Sequence, residues 1–200
     1  MSYAILGTGA VGQALAKAFA RKGLETAIAS RKSLEELTPI ARSIGPAIIP
    51  KSMQNAVQAD VILLAVPYWA HQEVAKLLPN WSGKLVVDVT NAYGTAPEKL
   101  QNLASSTVIS RALPGAKLVK AFNHLPAKVL AQDPEINGDR RVLFLSSDDQ
   151  DAANKVAEFV KQLGYAPVFL GKLEEGGRLV QAQGNNWAPL IFQDLFKKGA

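Results

Sequence analysis

The chain has 200 residues, 48% of them hydrophobic and 20% charged, which is the composition of a folded globular protein and not of a disordered one. This length suits one large domain, so we expect a single domain over residues 1–200, with a core at 1–125 and an α/β extension at 126–200. The chain contains no cysteine and only two histidines, which excludes disulfides, thiol nucleophiles and thiolate or histidine-rich metal sites. We therefore predict no metal centre.

The formal net charge is +5, and the basic residues are scattered singly or in pairs along the chain. Without a basic stripe or run, this charge favours a polyanionic small molecule as the partner and argues against nucleic acid. The longest apolar run, Val61 to Ala70, is about half the length needed to cross a bilayer. The N-terminus shows no basic region or cleavage site, so we expect no secretion signal, no membrane partner and a cytoplasmic location.

Short apolar strands alternate with segments of helical periodicity from one end of the chain to the other. Several of these strands are apolar at every position, which is typical of a parallel sheet covered by helices on both faces. Such alternation predicts an α/β fold with one doubly wound, mostly parallel sheet. The predicted strands are Tyr3–Leu6, Thr26–Ala29, Ala47–Ile49, Val61–Val66, Leu85–Val89, Leu118–Phe122, Val142–Leu145 and Pro167–Leu170.

Two predicted helices have clear stop signals. Apolar residues recur at helical spacing from Val11 to Phe19 and again from Ala153 to Leu163, and a glycine follows each run, at Gly23 and Gly164. The charged pair Asp148-Asp149 is expected at the N-terminus of the second helix.

A third helix is harder to place because two signals compete. Ser33 and Glu36 have the spacing of a capping box, but Pro39 follows closely, so we expect this helix to restart around Thr38-Pro39. The polar stretch Gln132–Arg140 is interpreted as an exposed loop. The last segment, Leu173 to Phe196, has the pattern of an amphipathic helix that either packs on its own domain or forms a homodimer interface.

The strongest chemical signal follows the first strand, where the chain reads Gly7-Thr8-Gly9-Ala10-Val11-Gly12 and a helix begins. This is the G-x-G-x-x-G pattern in its strand–turn–helix context, which predicts a dinucleotide pyrophosphate site and a Rossmann-type sheet. The first glycine permits the tight turn, the second lets a pyrophosphate approach the main chain, and the third lets the helix pack on the strand. The helix N-terminus supplies free N–H groups to the phosphates.

The end of the second strand indicates which dinucleotide binds. Enzymes that use NAD usually carry an acidic residue there, which accepts hydrogen bonds from the ribose. This chain instead reads Ser30-Arg31-Lys32, which offers a hydroxyl, a guanidinium and an ammonium group to a 2′-phosphate. The sequence therefore favours NADP(H) over NAD(H).

Three later strand ends complete the predicted crevice, because ligands of such sheets bind beyond the carboxyl ends of the strands. These ends are expected to line the nicotinamide end and read Ala65-Val66-Pro67-Tyr68-Trp69, Asp88-Val89-Thr90-Asn91 and Ala121-Phe122-Asn123-His124-Leu125-Pro126-Ala127. Tyr68 and Trp69 either pack or form the floor for a flat redox partner. His124 and Asn123 are the candidate catalytic residues, where His124 donates a proton, orients a substrate or is only structural. His71 is expected at a helix surface or edge.

With these motifs together, the chain resembles the NADP oxidoreductases of the coenzyme F420-dependent type. The resemblance extends over essentially the whole length and includes the GTGAVG loop, Ser30-Arg31, Val66-Pro67, residues 122–127, Ser147-Asp148-Asp149 and Arg178-Leu179-Val180. It implies that Thr8 to Val11 hold the pyrophosphate and that Ser30 and Arg31 hold the 2′-phosphate. It further implies that Ala65 to Pro67 and Ala127 lie at the nicotinamide side. Lys32 is then a supporting cation, since Glu35 stands where the family has a basic residue. The fold is also similar to the reductase domain of metalloreductases.

Three functions remain open from the sequence. The first is an NADP(H)-dependent oxidoreductase that moves hydride to or from a planar acceptor such as a deazaflavin or flavin, which mainly requires positioning of the two rings. The second is a reductase of carbonyls or imines, which needs a proton donor, and His124 and Tyr93 are the candidates. The third is an NADPH-binding module without catalysis.

Overall fold

The protein is described here by a computed structural model that covers residues 1–182, 192 and 194–199. The strands are β1 (Tyr3–Leu6), β2 (Thr26–Ala29), β3 (Ile48–Pro50), β4 (Val61–Leu64), β5 (Leu85–Asp88), β6 (Lys117–Ala121), β7 (Glu135–Ile136), β8 (Asp139–Ser147), β9 (Ala166–Phe169) and β10 (Phe196–Lys197). The helices are α1 (Ala10–Arg21), α2 (Leu34–Ile44), α3 (Met53–Ala56), α4 (His71–Ala75), α5 (Ser105–Ala112), α6 (Ala127–Leu130), α7 (Gln150–Gln162) and α8 (Arg178–Val180). Each predicted strand is present, with ends that differ from the prediction by at most two residues except in β8, which is longer than predicted.

The central sheet has the strand order β3-β2-β1-β4-β5-β6-β8, and its first six strands are parallel. The order reverses between β1 and β4, so the glycine loop after β1 lies at the switch point where such sheets bind ligands. β8 pairs antiparallel to β6, and β9 runs parallel to β8. The predicted Rossmann-type, mostly parallel sheet is confirmed.

Each face of the sheet is covered by its own apolar cluster because successive residues of a strand point to opposite faces. Ile5 of β1 packs with Phe19 of α1 and Phe159 of α7 in one cluster. Its neighbour Leu6 packs in the other cluster, with Trp81 and with Ile109 of α5. Burial on both faces explains why the strands are apolar at nearly every position.

The start of α2 differs from the sequence expectation, because the helix runs without a break through Pro39. The helix is continuous from Leu34 to Ile44, and Ser33 and Glu36 form a complete capping box, so the predicted restart at Thr38-Pro39 is wrong. A proline here removes one intrahelical N–H and crowds the preceding turn. In that turn the Thr38 hydroxyl donates to the carbonyl of Leu34 at 2.7 Å. The capping signal therefore determined the start of the helix despite Pro39.

The stretch Gln132–Arg140 contains a short β-hairpin where we expected only a loop. β7 pairs with the start of β8 across Asn137 and Gly138, which both have left-handed backbone angles. Asparagine followed by glycine is the strongest local signal for a two-residue hairpin turn, and it was present in the sequence.

The predicted C-terminal helix from Leu173 to Phe196 is not one element. A π-helical turn at Leu173–Gly177 continues into α8, which ends at Val180, and Gln181 is extended. Phe196 lies in β10, which pairs antiparallel with Arg140 and Arg141 of β8. Residues 183–191 lie outside the described part of the chain. Within the described residues, no helix is both long and apolar enough to cross a membrane.

Candidate dinucleotide-binding site

The glycine loop is held in place by main-chain contacts to the strands on either side. The amide of Gly7 donates to the carbonyl of Ala29 at 2.7 Å, at the end of β2, and Ala65 donates to Leu6 at 2.8 Å, at the end of β4. Gly7 has φ of +109°, and a Cβ there would overlap the carbonyl oxygen of Ala65. Glycine is required at this position for both reasons.

The other two glycines have different surroundings. A Cβ on Gly12 would overlap the carbonyl of Gly7, so α1 packs directly against the loop. By contrast, nothing lies within 4 Å of the position that a Cβ on Gly9 would take. Gly9 and Ala10 are exposed and the loop is open to solvent beside them.

The N-terminus of α1 is available to an anion. Gly9 is the N-cap residue, no side chain of the described residues caps it, and the first turn contains no acidic residue. The first N–H groups of a helix have no partner within the helix and carry a partial positive charge. Open main chain at Gly9 next to these donors leaves room and hydrogen-bond donors for a pyrophosphate, as the predicted dinucleotide requires.

The polar residues after β2 lie next to this loop. The Thr8 hydroxyl donates to the Ser30 hydroxyl at 3.1 Å, which joins the loop to the predicted 2′-phosphate site. Arg31 and Lys32 are exposed. Lys32 also lies 3.6 Å from the Glu36 carboxylate, so it is partly neutralised, and Arg31 is the stronger candidate for a phosphate.

Trp69 lies on the side of the predicted site where adenosine is expected. The Arg31 guanidinium carbon is 5.8 Å from the centre of the Trp69 ring. Trp69 is 62% exposed, whereas the adjacent Tyr68 is half-buried in the core cluster. The interpretation of both aromatics as one floor for a flat redox partner is therefore not supported by their placement. His71, expected at the surface, is instead buried, with Nδ1 close to the Tyr68 carbonyl.

The ends of β5 and β6 are joined by a pair of asparagines. Asn91 Nδ2 donates to the Asn123 carbonyl at 2.8 Å, and Asn123 Nδ2 donates back to Asn91 Oδ1 at 3.1 Å. Asn123 Nδ2 also donates to the Val180 carbonyl at 2.8 Å, and the Ala182 amide donates to Asn91 Oδ1 at 2.9 Å. The two predicted site residues therefore connect the sheet to the end of α8 and to the residues directly after it.

The turn before Asn123 has an unusual backbone. Phe122 is fully buried and has φ of +63°, a left-handed conformation that bulky residues rarely adopt. Such conformations cost roughly 1–3 kcal/mol and are concentrated at functional sites. Here the turn carries the chain from β6 into Asn123 and His124.

A buried ion pair below this edge was not identified from the sequence. Lys120 Nζ lies 3.0 Å from Asp88 Oδ2, both side chains are fully buried, and Lys120 also donates to the Thr90 carbonyl. Asp88 further accepts from Ser106 Oγ at 2.6 Å and from the Thr90 amide at 2.8 Å. Burial lowers the pKa of Lys120, and Asp88 opposes that shift. Desolvation, with a smaller effect of Asp88, raises the pKa of Tyr68 to about 12. The signal available in the sequence was one charged residue in each of two otherwise apolar predicted strands, Leu85–Val89 and Leu118–Phe122.

His124 is fully buried, and its ring centre lies 5.0 Å from that of Phe144. Neither ring nitrogen forms a well-aligned hydrogen bond within the described part of the chain. Burial lowers the pKa of His124 to about 4, an effect that the backbone of Val142 opposes in part. The imidazole is therefore neutral near pH 7. The other candidate proton donor, Tyr93, is 70% exposed.

The described residues contain no group of three or more histidine, aspartate or glutamate side chains that could hold a metal ion.

Comparison with known proteins gives a family match for the first part of the chain. Residues 2–92 match the family described as NADP oxidoreductase, coenzyme F420-dependent. The matched residues are just under half of the chain and include the glycine loop and the turn after β2. This match confirms the predicted resemblance to NADP oxidoreductases of the coenzyme F420-dependent type.

Similar proteins extend beyond the matched region. A hypothetical protein, SMa0349 from Sinorhizobium meliloti, is 37% identical with a TM-score of 0.88, and the match covers 100% of this chain and 96% of that one. A protein from Arthrobacter sp. FB24, assigned to the F420-dependent NADP-reductases, shares the fold at 24% identity with a TM-score of 0.70, over 90% of each chain. Metalloreductase STEAP3 of Rattus norvegicus is 29% identical over 172 residues, which are 84% of this chain and 33% of that protein. The chain thus spans about a third of this curated relative.

Proposed function

We propose that this protein transfers hydride between NADP(H) and a planar acceptor such as a deazaflavin or a flavin. The observation that carries the proposal is the pairing of an open glycine loop with Ser30 and Arg31, without a carboxylate in the Ser30-Arg31-Lys32 turn. The loop and the N-terminus of α1 would hold the pyrophosphate, and Arg31 and Ser30 would hold the 2′-phosphate. The cofactor supplies the hydride chemistry, and the protein supplies binding and orientation.

The placement of His124 favours a planar acceptor over a carbonyl or imine. Reduction of a carbonyl or imine needs a proton donor within hydrogen-bond reach of the substrate. His124 is fully buried against Phe144, and its imidazole is neutral near pH 7, so it lacks the acidic imidazolium proton that a general acid would transfer to a substrate. Transfer between two stacked rings depends chiefly on holding the reacting atoms about 3–3.5 Å apart. In this proposal Asn123 and Asn91 fix the edge of the site, and Ala65 to Pro67 and Ala127 line it.

The acceptor class is tested by measuring NADPH oxidation with FMN, FAD, coenzyme F420, a ferric chelate and a panel of carbonyls and imines. A ferric chelate is included because one relative is a metalloreductase. We expect turnover with a deazaflavin or flavin, and this turnover should survive in a folded His124→Ala or His124→Phe variant. Turnover confined to carbonyls or imines, and lost in both variants, would establish the second function instead. Tight NADPH binding with no oxidation by any acceptor would establish the non-catalytic module.

The cofactor assignment is tested at Arg31. A hydrogen bond to a charged group contributes roughly 1.5–3 kcal/mol, so Arg31→Ala should weaken NADPH binding about tenfold or more and leave NADH binding nearly unchanged. Arg42→Ala is the matched control, since Arg42 is an exposed arginine in the last turn of α2. Isothermal titration of both cofactors gives the dissociation constants. Equal losses for NADPH and NADH would refute the 2′-phosphate assignment.

We further propose that residues 1–200 form one domain and that the protein acts in the cytoplasm. Residues 142–145 of β8 pair with β9, and residues 145–147 pair with β6, so the extension after residue 125 continues the same sheet. Limited proteolysis tests the first proposal, because a two-domain protein would yield a stable fragment ending near residue 125.

The homodimer that the sequence left open is tested by sedimentation at several protein concentrations, where a dimer would show a larger mass than the single chain.

A further inference from the structure

The contact between Arg31 and Trp69 crosses the mouth of the glycine loop. Arg31 follows β2 and Trp69 follows β4, and β1 with its loop lies between these two strands. The 5.8 Å separation of the guanidinium from the ring centre is within the range of a cation–π interaction. Two residues 38 positions apart therefore meet above the site proposed for the cofactor's adenosine half.

The segment that carries Trp69 is anchored while the Trp69 ring is exposed. Tyr68, Trp69 and Ala70 form a single 3-10 turn, and α4 begins directly afterwards at His71. The rings of Tyr68 and His71 lie 5.0 Å apart, and His71 is buried. Trp69 is thus an exposed aromatic side chain on a fixed turn, and its ring lies against the Arg31 guanidinium.

We propose that Trp69 is a positioning residue that holds the Arg31 guanidinium ready for the 2′-phosphate, and that it thereby increases the preference for NADP(H) over NAD(H). The inference rests on the proposed function, because it requires the 2′-phosphate to bind at Arg31. A free arginine side chain samples many rotamers, and fixing one of them on binding costs conformational entropy. Stacking on Trp69 restricts the guanidinium plane before the ligand arrives and leaves its N–H groups available to phosphate oxygens.

A different role for Trp69 makes a different prediction. If the indole stacked on the adenine ring, Trp69 would contribute equally to NADPH and NADH, since both contain adenine. If it acts through Arg31, its contribution should be restricted to ligands with a 2′-phosphate and should vanish once Arg31 is removed. A double-mutant cycle separates these roles.

The experiment measures dissociation constants by isothermal titration for the wild type, Trp69→Ala, Arg31→Ala and the double variant. The probes are NADPH, NADH, adenosine 2′,5′-bisphosphate and 5′-AMP, and the last two differ only in the 2′-phosphate. We expect Trp69→Ala to weaken NADPH and the bisphosphate about two- to fivefold, the range of an exposed cation–π contact, with no change for NADH and 5′-AMP. In the Arg31→Ala background, Trp69→Ala should cause no further loss, and Trp69→Phe should retain part of the wild-type affinity.

Phe169→Ala is the control for removal of an exposed aromatic side chain, because Phe169 is 43% exposed and lies on β9. Its affinities should equal those of the wild type. Equal losses for NADPH and NADH in Trp69→Ala, or an undiminished loss in the Arg31→Ala background, would overturn the positioning role and leave the proposed function intact. Failure of the wild type to bind NADPH would overturn both.

Discussion

The two edges of the proposed site are built in different ways. Around β1 and β2, main-chain hydrogen bonds to the neighbouring strands fix the path of the glycine loop, and Gly7, Gly9 and Gly12 provide room by having no side chain. Around the ends of β5 and β6, the contacts are made by side chains such as Asn91 and Asn123, 32 residues apart in sequence.

This difference shows what each edge is suited to do. Main-chain N–H groups at a helix N-terminus can donate to any pyrophosphate, whatever the rest of the ligand is. Interlocked amides and a buried ion pair instead impose one arrangement, because each polar group depends on its partner. The first edge is suited to a common cofactor, and the second is suited to hold a fixed surface for a particular acceptor.

The largest expected effect comes from breaking the buried pair at the second edge. Lys120→Met leaves the Asp88 carboxylate buried without its cation, which should lower the free energy of unfolding by about 3–5 kcal/mol. Urea denaturation measures this change. Lys76→Met is the matched control, since Lys76 lies 2.7 Å from Glu73 with both side chains 70% exposed, and exposed pairs contribute little.

The double variant Asp88→Leu/Lys120→Met tests the reason for this loss. Removing both charges should recover part of the stability that Lys120→Met loses, because no unpaired charge then remains buried. A double variant as unstable as the sum of its single variants would contradict this account of the second edge.

The next effect is a pH dependence caused by His124. Its pKa is lowered to about 4 in the folded protein from an ordinary 6.5, so between these values the unfolded chain binds a proton that the folded protein does not. Stability should therefore fall as the pH decreases from about 6.5 to 4, by roughly 3 kcal/mol from this residue. His124→Phe should show a flatter profile over that window. Identical slopes for the two proteins would show that His124 does not titrate in this way.

The smallest expected effect is at the first edge, where a substitution should weaken ligand binding and leave the stability of the fold unchanged. Gly9 has an extended backbone, and its missing side chain faces open space, so Gly9→Ala should unfold at the wild-type temperature. The added methyl group would occupy space that the pyrophosphate needs, so NADPH should bind roughly tenfold more weakly. Thermal unfolding tests the first statement and isothermal titration with NADPH tests the second. If Gly9→Ala bound NADPH as tightly as the wild type, the pyrophosphate would have to bind elsewhere.

The same contrast explains what could be predicted from the sequence. The strands, α1 and the glycine loop follow from local patterns, and β1 and β2 have the predicted bounds. The ion pair of Asp88 with Lys120 depends on which strands become neighbours in the sheet. A charged residue within an apolar strand does not show by itself which residue it will pair with. The contact of Arg31 with Trp69 likewise arises from strand order, since β4 follows β2 and β3 in sequence but pairs with β1. The C-terminal helix was mispredicted because its apolar periodicity alone did not indicate that Phe196 pairs with β8.

The asparagine pair gives the segment after α8 a role in the integrity of the sheet edge. Loss of Val180 and Ala182 from their places would deprive both Asn91 and Asn123 of a main-chain partner at the same time. A rearrangement of that tail would therefore be transmitted to the ends of β5 and β6 without passing through the core. The residues directly after α8 and the proposed acceptor surface should therefore shift together, although they are about 90 positions apart in the chain.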